Sequence, residues 1–395
     1  MDGGRMATER DAIVGSLRAS MAASLVPAAL AETPEALCEA WSRWRSGKDR
    51  IERLSGVDYK LLPQVWPRID ALGIEDPLTR VFRGVRKRIW TRNWLLIAEA
   101  ATLQQKLEAE GIASVLMKGP SLLAGAYGYV GDRPTADIDL LVAPTDFERA
   151  TRVLRPGRDT VACDAHATTL SGTGLFALDL HRCASQLSIM NGVRRIDDAV
   201  ERGAIARRCE VAVGRHKVWV PEPTDRLYLH LANVFAHGAR LDAQSALWMA
   251  DARACVEVGG IDYARLAGLV EAQGAVALFQ HHLGAFREFA PQALNALFDT
   301  VLALPQSARD RPVAEAMMRL ETRHREDAPA DPFRAQWFAL RGEDEATAPT
   351  MMRLRYVLDC AANVGRTVAL SPRSLTSVFK APGYYWRRTI GALSG

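Results

Sequence analysis

Apolar and polar positions change their period along the chain, and each change marks an element. From about Pro77 to Glu110, Val81, Val85, Ile89, Leu96, Ala100, Leu103 and Leu107 recur at helical spacing, which predicts one long helix. Gly111 stands just past its last turn, where a glycine commonly ends a helix. Upstream, Ala36 to Leu54 carries Trp41 and Trp44 at i, i+3 among charges, as expected of a surface helix with one apolar stripe. Pro63 and Pro67 flank Trp66 and are expected to break the helical pattern.

After Gly111 the period shortens. Ile112 to Met117 is a short apolar run suited to a buried strand, closed by Lys118-Gly119. Pro120 suits the first turn of a short helix reaching Tyr127. A turn at Gly131-Asp-Arg-Pro134 leads to a second strand, Asp137 to Val142. Thr145 and Glu148 form a capping-box pattern for a helix from Asp146 to Leu154. Strand-like alternation then returns in Ala165 to Leu170 and Leu175 to His181, two arms around Ser-Gly-Thr-Gly. Beyond about Val218 the pattern is helical, with Leu227, Leu231, Val234 and Phe235 forming one stripe. His230 and His237 lie two turns apart on that helix and read as packed or hydrogen-bonded histidines.

The sum is an α+β protein: a small mixed sheet flanked by helices, with helical segments on either side. The expected division is a helical N-terminal segment over 1–76, a catalytic core over 77–217 and a helical C-terminal domain over 218–395. Met6 is an alternative start, and the first ten residues are expected to fray. Arg323 to Pro332 and Gly342 to Thr350 read as charged linkers. Ser371 to Arg388 is an aromatic and basic tail segment.

Composition narrows the class. The chain has 395 residues, 48% hydrophobic and 24% charged, with a formal net charge of +4. That balance gives no general argument for nucleic acid. The local run Arg80, Arg83, Arg86, Lys87, Arg88 and Arg92 contains no acid. It reads first as a solvated helix face and second as a patch for a triphosphate, an acidic peptide or RNA phosphates. Six cysteines form no CxxC pair, so neither a zinc site nor a disulfide framework is indicated. Reduced thiols and the lack of any apolar run near the ~20 residues of a membrane helix lead to an expected cytoplasmic location.

The chemistry concentrates in three acids. Asp137 and Asp139 are two apart on a predicted strand, so they leave the same face. Two carboxylates on one face repel unless a cation lies between them, and a divalent oxygen-seeking ion such as Mg²⁺ suits that position. Asp179 sits on another strand, where aspartate is a poor former, and is followed by His181. Asp137, Asp139 and Asp179 are thus expected to be the catalytic and metal-ligating acids, holding two ions that clamp attacking and leaving oxygens. Lys118 and the amides after Gly119 form an expected phosphate cradle.

These residues resemble a family. Lys118-Gly119, Tyr127 or Tyr129, Arg133 and Asp137-Ile-Asp-Leu-Leu-Val142 look like the signature of bacterial nucleotidyltransferase proteins. More narrowly, the chain resembles the uncharacterised nucleotidyltransferase group of the polymerase-beta-like superfamily. Asp179-Leu-His181, the helix from Tyr228-Leu-His230 to His237, and Asp251 continue the resemblance, which covers about Arg80 to Val270. It implies an Mg²⁺-dependent transfer of a nucleoside monophosphate from ATP or another NTP, with pyrophosphate leaving. It further implies Ser121 as a phosphate-side hydroxyl, Arg133 as a phosphate contact and His181 as a residue that orients Asp179 or touches phosphate. For Arg133 the alternative is a loop arginine paired with Asp132. The acceptor implied is a small molecule or peptide, including a ribosomally made peptide, with RNA also compatible. The competing class is a catalytically silent nucleotide sensor or scaffold on the same fold, and a third is γ-phosphoryl transfer.

Overall fold

The computed structural model describes residues 15–46, 48, 54–163, 167–185, 199–237 and 246–307. Met6, the expected linkers at 323–332 and 342–350 and the segment 371–388 lie outside the described residues, as does the side chain of His237.

Helical residues 15–22 lead into α1 (Val26–Leu30), α2 (Pro34–Arg45) and α3 (Gly56–Ala71). Ser55 and Asp58 close a capping box at the start of α3. Pro63 and Pro67 do not break this helix; both lie inside it. A proline there removes one backbone donor, and burial of Leu61, Leu62, Val65, Trp66 and Ile69 on the same element outweighs that loss. Trp41 and Trp44 form the buried stripe of α2, as their spacing predicts, in a cluster with Trp66 and Phe82 whose neighbouring centroids lie 5.0 to 5.8 Å apart.

The long helix α4 (Thr79–Ala109) forms as its period predicts and ends before Gly111, which adopts φ 68°. Then come β1 (Ser114–Leu116), α5 (Lys118–Gly125), β2 (Ile138–Val142) and α6 (Phe147–Leu154). β3 (Arg158–Cys163), β4 (Ala167–Gly172) and β5 (Leu178–His181) complete a five-stranded mixed sheet of order β1-β2-β5-β4-β3. Only the β2–β5 pair is parallel; its neighbours are antiparallel. Several boundaries differ from expectation: β5 begins at Leu178 rather than Leu175, and α5 ends at Gly125, short of Tyr127. Asp137 stands one residue ahead of its strand, α5 begins at Lys118, two residues ahead of Pro120, and α6 starts after Asp146 with no side-chain cap.

α7 (Ala199–Ala206) precedes a hairpin absent from the expected elements, β6 (Cys209–Val213) and β7 (His216–Val220). Its signal is present in the chain: Val211, Val213, Val218 and Val220 alternate around Gly214-Arg215, and Gly214 takes φ 57°. The Gln104 amide of α4 bonds both ways to the Trp219 backbone, at 2.9 and 3.0 Å. The helical remainder is α8 (Pro223–His237), α9 (Leu247–Val258), α10 (Tyr263–Ala272), α11 (Val276–Phe286) and α12 (Asn295–Leu302).

Period two divides the central strands between two cores. Leu116, Ile138, Leu140, Val142, Leu178 and Leu180 pack with Leu96, Ala100 and Leu107 of α4. Val115 and Leu141 face the opposite way, into a core shared by the N-terminal helices and by α8 to α12. Asp139 shares the Leu141 face, so the acids emerge where the sheet meets that helical layer.

Candidate metal and phosphate site

Parallel pairing sets the site. Asp139 lies opposite Asp179 and Leu141 opposite His181 on neighbouring strands, so both β5 polar residues leave the face that carries Asp139. One ligand atom each from Asp139, Asp179 and His181 falls within a 4.8 Å sphere of mutual separation. The donor set is two carboxylates and an imidazole. Asp179 Oδ1 is buried with no hydrogen-bond partner among the described residues, and an acid oxygen in that condition suits a cation. These residues fit a divalent metal ion.

His181 Nε2 donates to Asp139 Oδ1 at 2.9 Å, and Lys118 Nζ approaches the same oxygen at 2.7 Å. Burial acts to raise the Asp139 carboxyl. The His181 hydrogen bond and the Lys118 charge outweigh it and hold Asp139 below the ordinary carboxylate value. Asp137 is the opposite case. Burial, then the charges of Asp139 and Asp179, push its carboxyl up. Burial acts against the Lys118 charge, and Asp139 more than offsets it, leaving the ammonium raised. Asp137 is therefore close enough to feel the other acids but stands outside the three-residue group; the third member is His181.

The turn before α5 is tightly built. Lys118 takes φ 46°, the left-handed region that a side chain seldom occupies, and its ammonium points back to Asp139. A Cβ on Gly119 would stand 2.9 Å from Arg133 Nη1 and from Thr135 Cγ2, so only glycine lets the loop lie this close. Ser121 is not at the surface of the cradle. It is 2% exposed and its Oγ has no hydrogen-bond partner among the described residues, because α5 turns that face inward.

Arg133 also departs from expectation. It pairs neither with Asp132 nor outward: Nε and Nη2 donate to Asp251 Oδ1 and Oδ2 at 2.7 and 3.0 Å. Asp132 instead accepts from Arg86. Tyr127 donates to Asp251 Oδ1 at 2.7 Å, and His230 Nε2 lies 3.7 Å from Oδ2. Burial would raise the Asp251 carboxyl, and Arg133 with His230 brings it below its usual value; burial holds His230 down. Tyr127, Arg133, His230 and Asp251, scattered in the sequence, thus form one buried network under the Lys118-Gly119 turn. No signal in the chain joins Arg133 to an acid 118 residues away. No group beyond Asp139, Asp179 and His181 qualifies as a metal-holding cluster among the described residues.

The protein is thus of the α+β class, a mixed sheet with acids abreast on parallel strands beside a lysine-glycine helix start. Comparison narrows this: the model of a family described as uncharacterised nucleotidyltransferase matches residues 57–291. That is more than half of the chain, and the chain belongs to this family. A solved structure it is similar to is an antigenic nucleotidyltransferase-like protein from Paracoccidioides brasiliensis. The two are 15% identical, with 54% of this chain and 94% of that one covered and a TM-score of 0.35. No curated protein matches. No helix of the described residues is long and apolar enough to cross a membrane.

Proposed function

We propose that the protein transfers a nucleoside monophosphate from ATP or another nucleoside triphosphate to a nucleophilic acceptor. The acceptor oxygen or nitrogen bonds to the α-phosphorus and gives up its proton, the bond to the β-phosphate oxygen breaks, and pyrophosphate leaves. The observation that carries this reading is Asp139 abreast of Asp179, with His181 completing the group two register positions on.

Asp139, Asp179 and His181 would hold a divalent ion, with Asp137 alongside; Mg²⁺ is the ion the acids suit. When bound, such an ion supplies charge to phosphate oxygens and lowers the pKa of an acceptor hydroxyl. The chain's own part is positioning and neutralisation. Lys118, raised and permanently charged at neutral pH, faces the acids and serves a triphosphate oxygen. The first amides of α5 point the same way as its positive end. The Asp251 network keeps the Gly119 turn against Thr135, so the cradle is held from behind.

The test uses each NTP labelled in turn at the α and γ positions, with Mg²⁺ and fractionated acceptors. Label from the α position on an acceptor, equimolar pyrophosphate, and loss of both in Asp139→Asn are expected. Transfer of only the γ label sinks the reading. Tight nucleotide binding without pyrophosphate release under every condition would replace it by a sensor.

A further inference from the structure

Away from the acids, a groove of about 650 Å³ opens between α3, α4 and the loop after α5, lined by Trp66, Arg83, Arg86, Lys87, Trp90 and Tyr129. Its α4 residues recur at 83, 86, 87 and 90, one helix face. The groove is unusual in presenting large rings to solvent: Trp90 is 37% and Tyr129 39% exposed. Arg86 covers Tyr129 at 4.1 Å from the ring centroid, and Trp90 continues to Trp94 at 6.1 Å and His216 at 6.4 Å. Trp90, Trp94 and His216 therefore form a row, and Tyr129 lines the same groove as Trp90.

Cations border that row. Arg83 and Arg86 are engaged by Asp70 and Asp132. Arg80, Lys87 and Arg88 are exposed and have no carboxylate partner among the described residues. Arg80 and Lys87 lie on one face, two turns and roughly 10 Å apart, more than one phosphate spans. Charge with no carboxylate partner among the described residues, spread over that distance beside exposed rings, fits a ligand that repeats both a phosphate and a planar base. We infer that this groove seats single-stranded nucleic acid. An acidic peptide would use the cations and leave the rings idle.

The groove also communicates with the acids. Arg86 holds Asp132, Asn93 donates to the Val130 and Arg133 carbonyls, and Arg92 donates to Ala136 O at 3.1 Å. α4 thus fastens the loop whose one end, Tyr129, lines the groove and whose other end delivers Asp137. Under the nucleotidyl-transfer reading, on which this step rests, the strand bound there is the acceptor.

Binding is tested apart from catalysis, by anisotropy of a fluorescein-labelled single-stranded RNA decamer with the full chain in EDTA and no NTP. Between about 50 and about 200 mM salt the log–log slope expected from three phosphate contacts is about −2. Trp90→Ala weakens binding roughly tenfold or more, as loss of a stacked base does. The surface pair Arg80→Glu/Lys87→Glu weakens it and flattens the slope, while Asp139→Asn binds as wild type does. No saturable binding at low salt, affinity unmoved in both groove variants, or equal competition by polyglutamate or duplex RNA overturns the inference. Binding without α-phosphate transfer to the strand leaves the groove standing and counts against the nucleotidyl-transfer reading instead.

Discussion

Lys118 places its ammonium 2.7 Å from Asp139 Oδ1, so the cation that neutralises the most buried acid of the site is part of the chain itself. A divalent ion held by the same oxygen has to displace that ammonium or share its place. Two like charges about 4 Å apart repel by about 4 kcal/mol at an effective dielectric of about 20. Lys118→Met is therefore expected to bind Mn²⁺ at least about tenfold more tightly than wild type by calorimetry, while triphosphate affinity falls. Its melting temperature in EDTA should drop and should gain more from Mn²⁺ than the wild type does. Unchanged metal affinity would mean that lysine and ion occupy separate positions.

Asp137 is where site and stability oppose each other. Burial and two neighbouring acids raise its carboxyl in the folded state above the unfolded value of about 3.8. The ionised form is thus disfavoured in the fold, a cost fully present above the folded pKa and absent below the unfolded one. Asp137→Asn should melt higher than wild type at neutral pH in EDTA, with the difference vanishing as pH falls through the carboxylate range. The same variant should lose pyrophosphate release by about two orders of magnitude or more. A variant that melts lower at pH 7 would show that Asp137 is stabilised by a contact rather than strained by its neighbours.

The parts of this molecule that follow short-range rules were legible in the chain. Asp137, Asp139 and Asp179 stand out because period two and a carboxylate on a strand are local facts. Four of the five strands around them and the long α4 follow from alternation and helical spacing; β3, on the sheet edge, carries no such alternation and was not legible. Pairing over long distances was not legible. His181 reads as a companion of Asp179, yet its ring reaches across the parallel pair to Asp139, which depends on register. Arg133 reads as a loop arginine because its partner arrives on a helix more than a hundred residues later. Pro63 and Pro67 mislead because tertiary burial of Trp66 overrides a local breaker. The β6–β7 hairpin was readable from its valines and was hidden by the helical pattern that follows it.

The buried Asp251 network yields a prediction about structure rather than chemistry. Removing the acid in Asp251→Ala strands the Arg133 guanidinium, whose side chain is 20% exposed, and should cost about 3 kcal/mol by denaturant unfolding. Tyr127→Phe deletes only one hydrogen bond to the same acid and should cost about 1 kcal/mol. Gly119→Ala pushes a methyl against Arg133 and Thr135, and its effect should be absorbed in a background where Asp251 is already lost. Strictly additive costs for Gly119→Ala and Asp251→Ala would separate the turn from the network.

His282 makes the fold sensitive to acid. Its ring lies flat on Phe235, 4.6 Å between centroids, and burial, with His281 adding repulsion, brings its pKa down from 6.5 to about 3. The folded state therefore refuses a proton that the unfolded chain accepts. The stability this represents is complete above the unfolded pKa of about 6.5 and is lost as pH falls, at up to about 1.4 kcal/mol per pH unit, until the folded group titrates near 3. His230, lowered first by burial, acts in the same direction. His282→Phe keeps an aromatic ring against Phe235 and removes the titration, so its unfolding free energy should fall less steeply than wild type between pH 6.5 and pH 4. Equal slopes for the two proteins over that interval would assign the acid sensitivity to other groups.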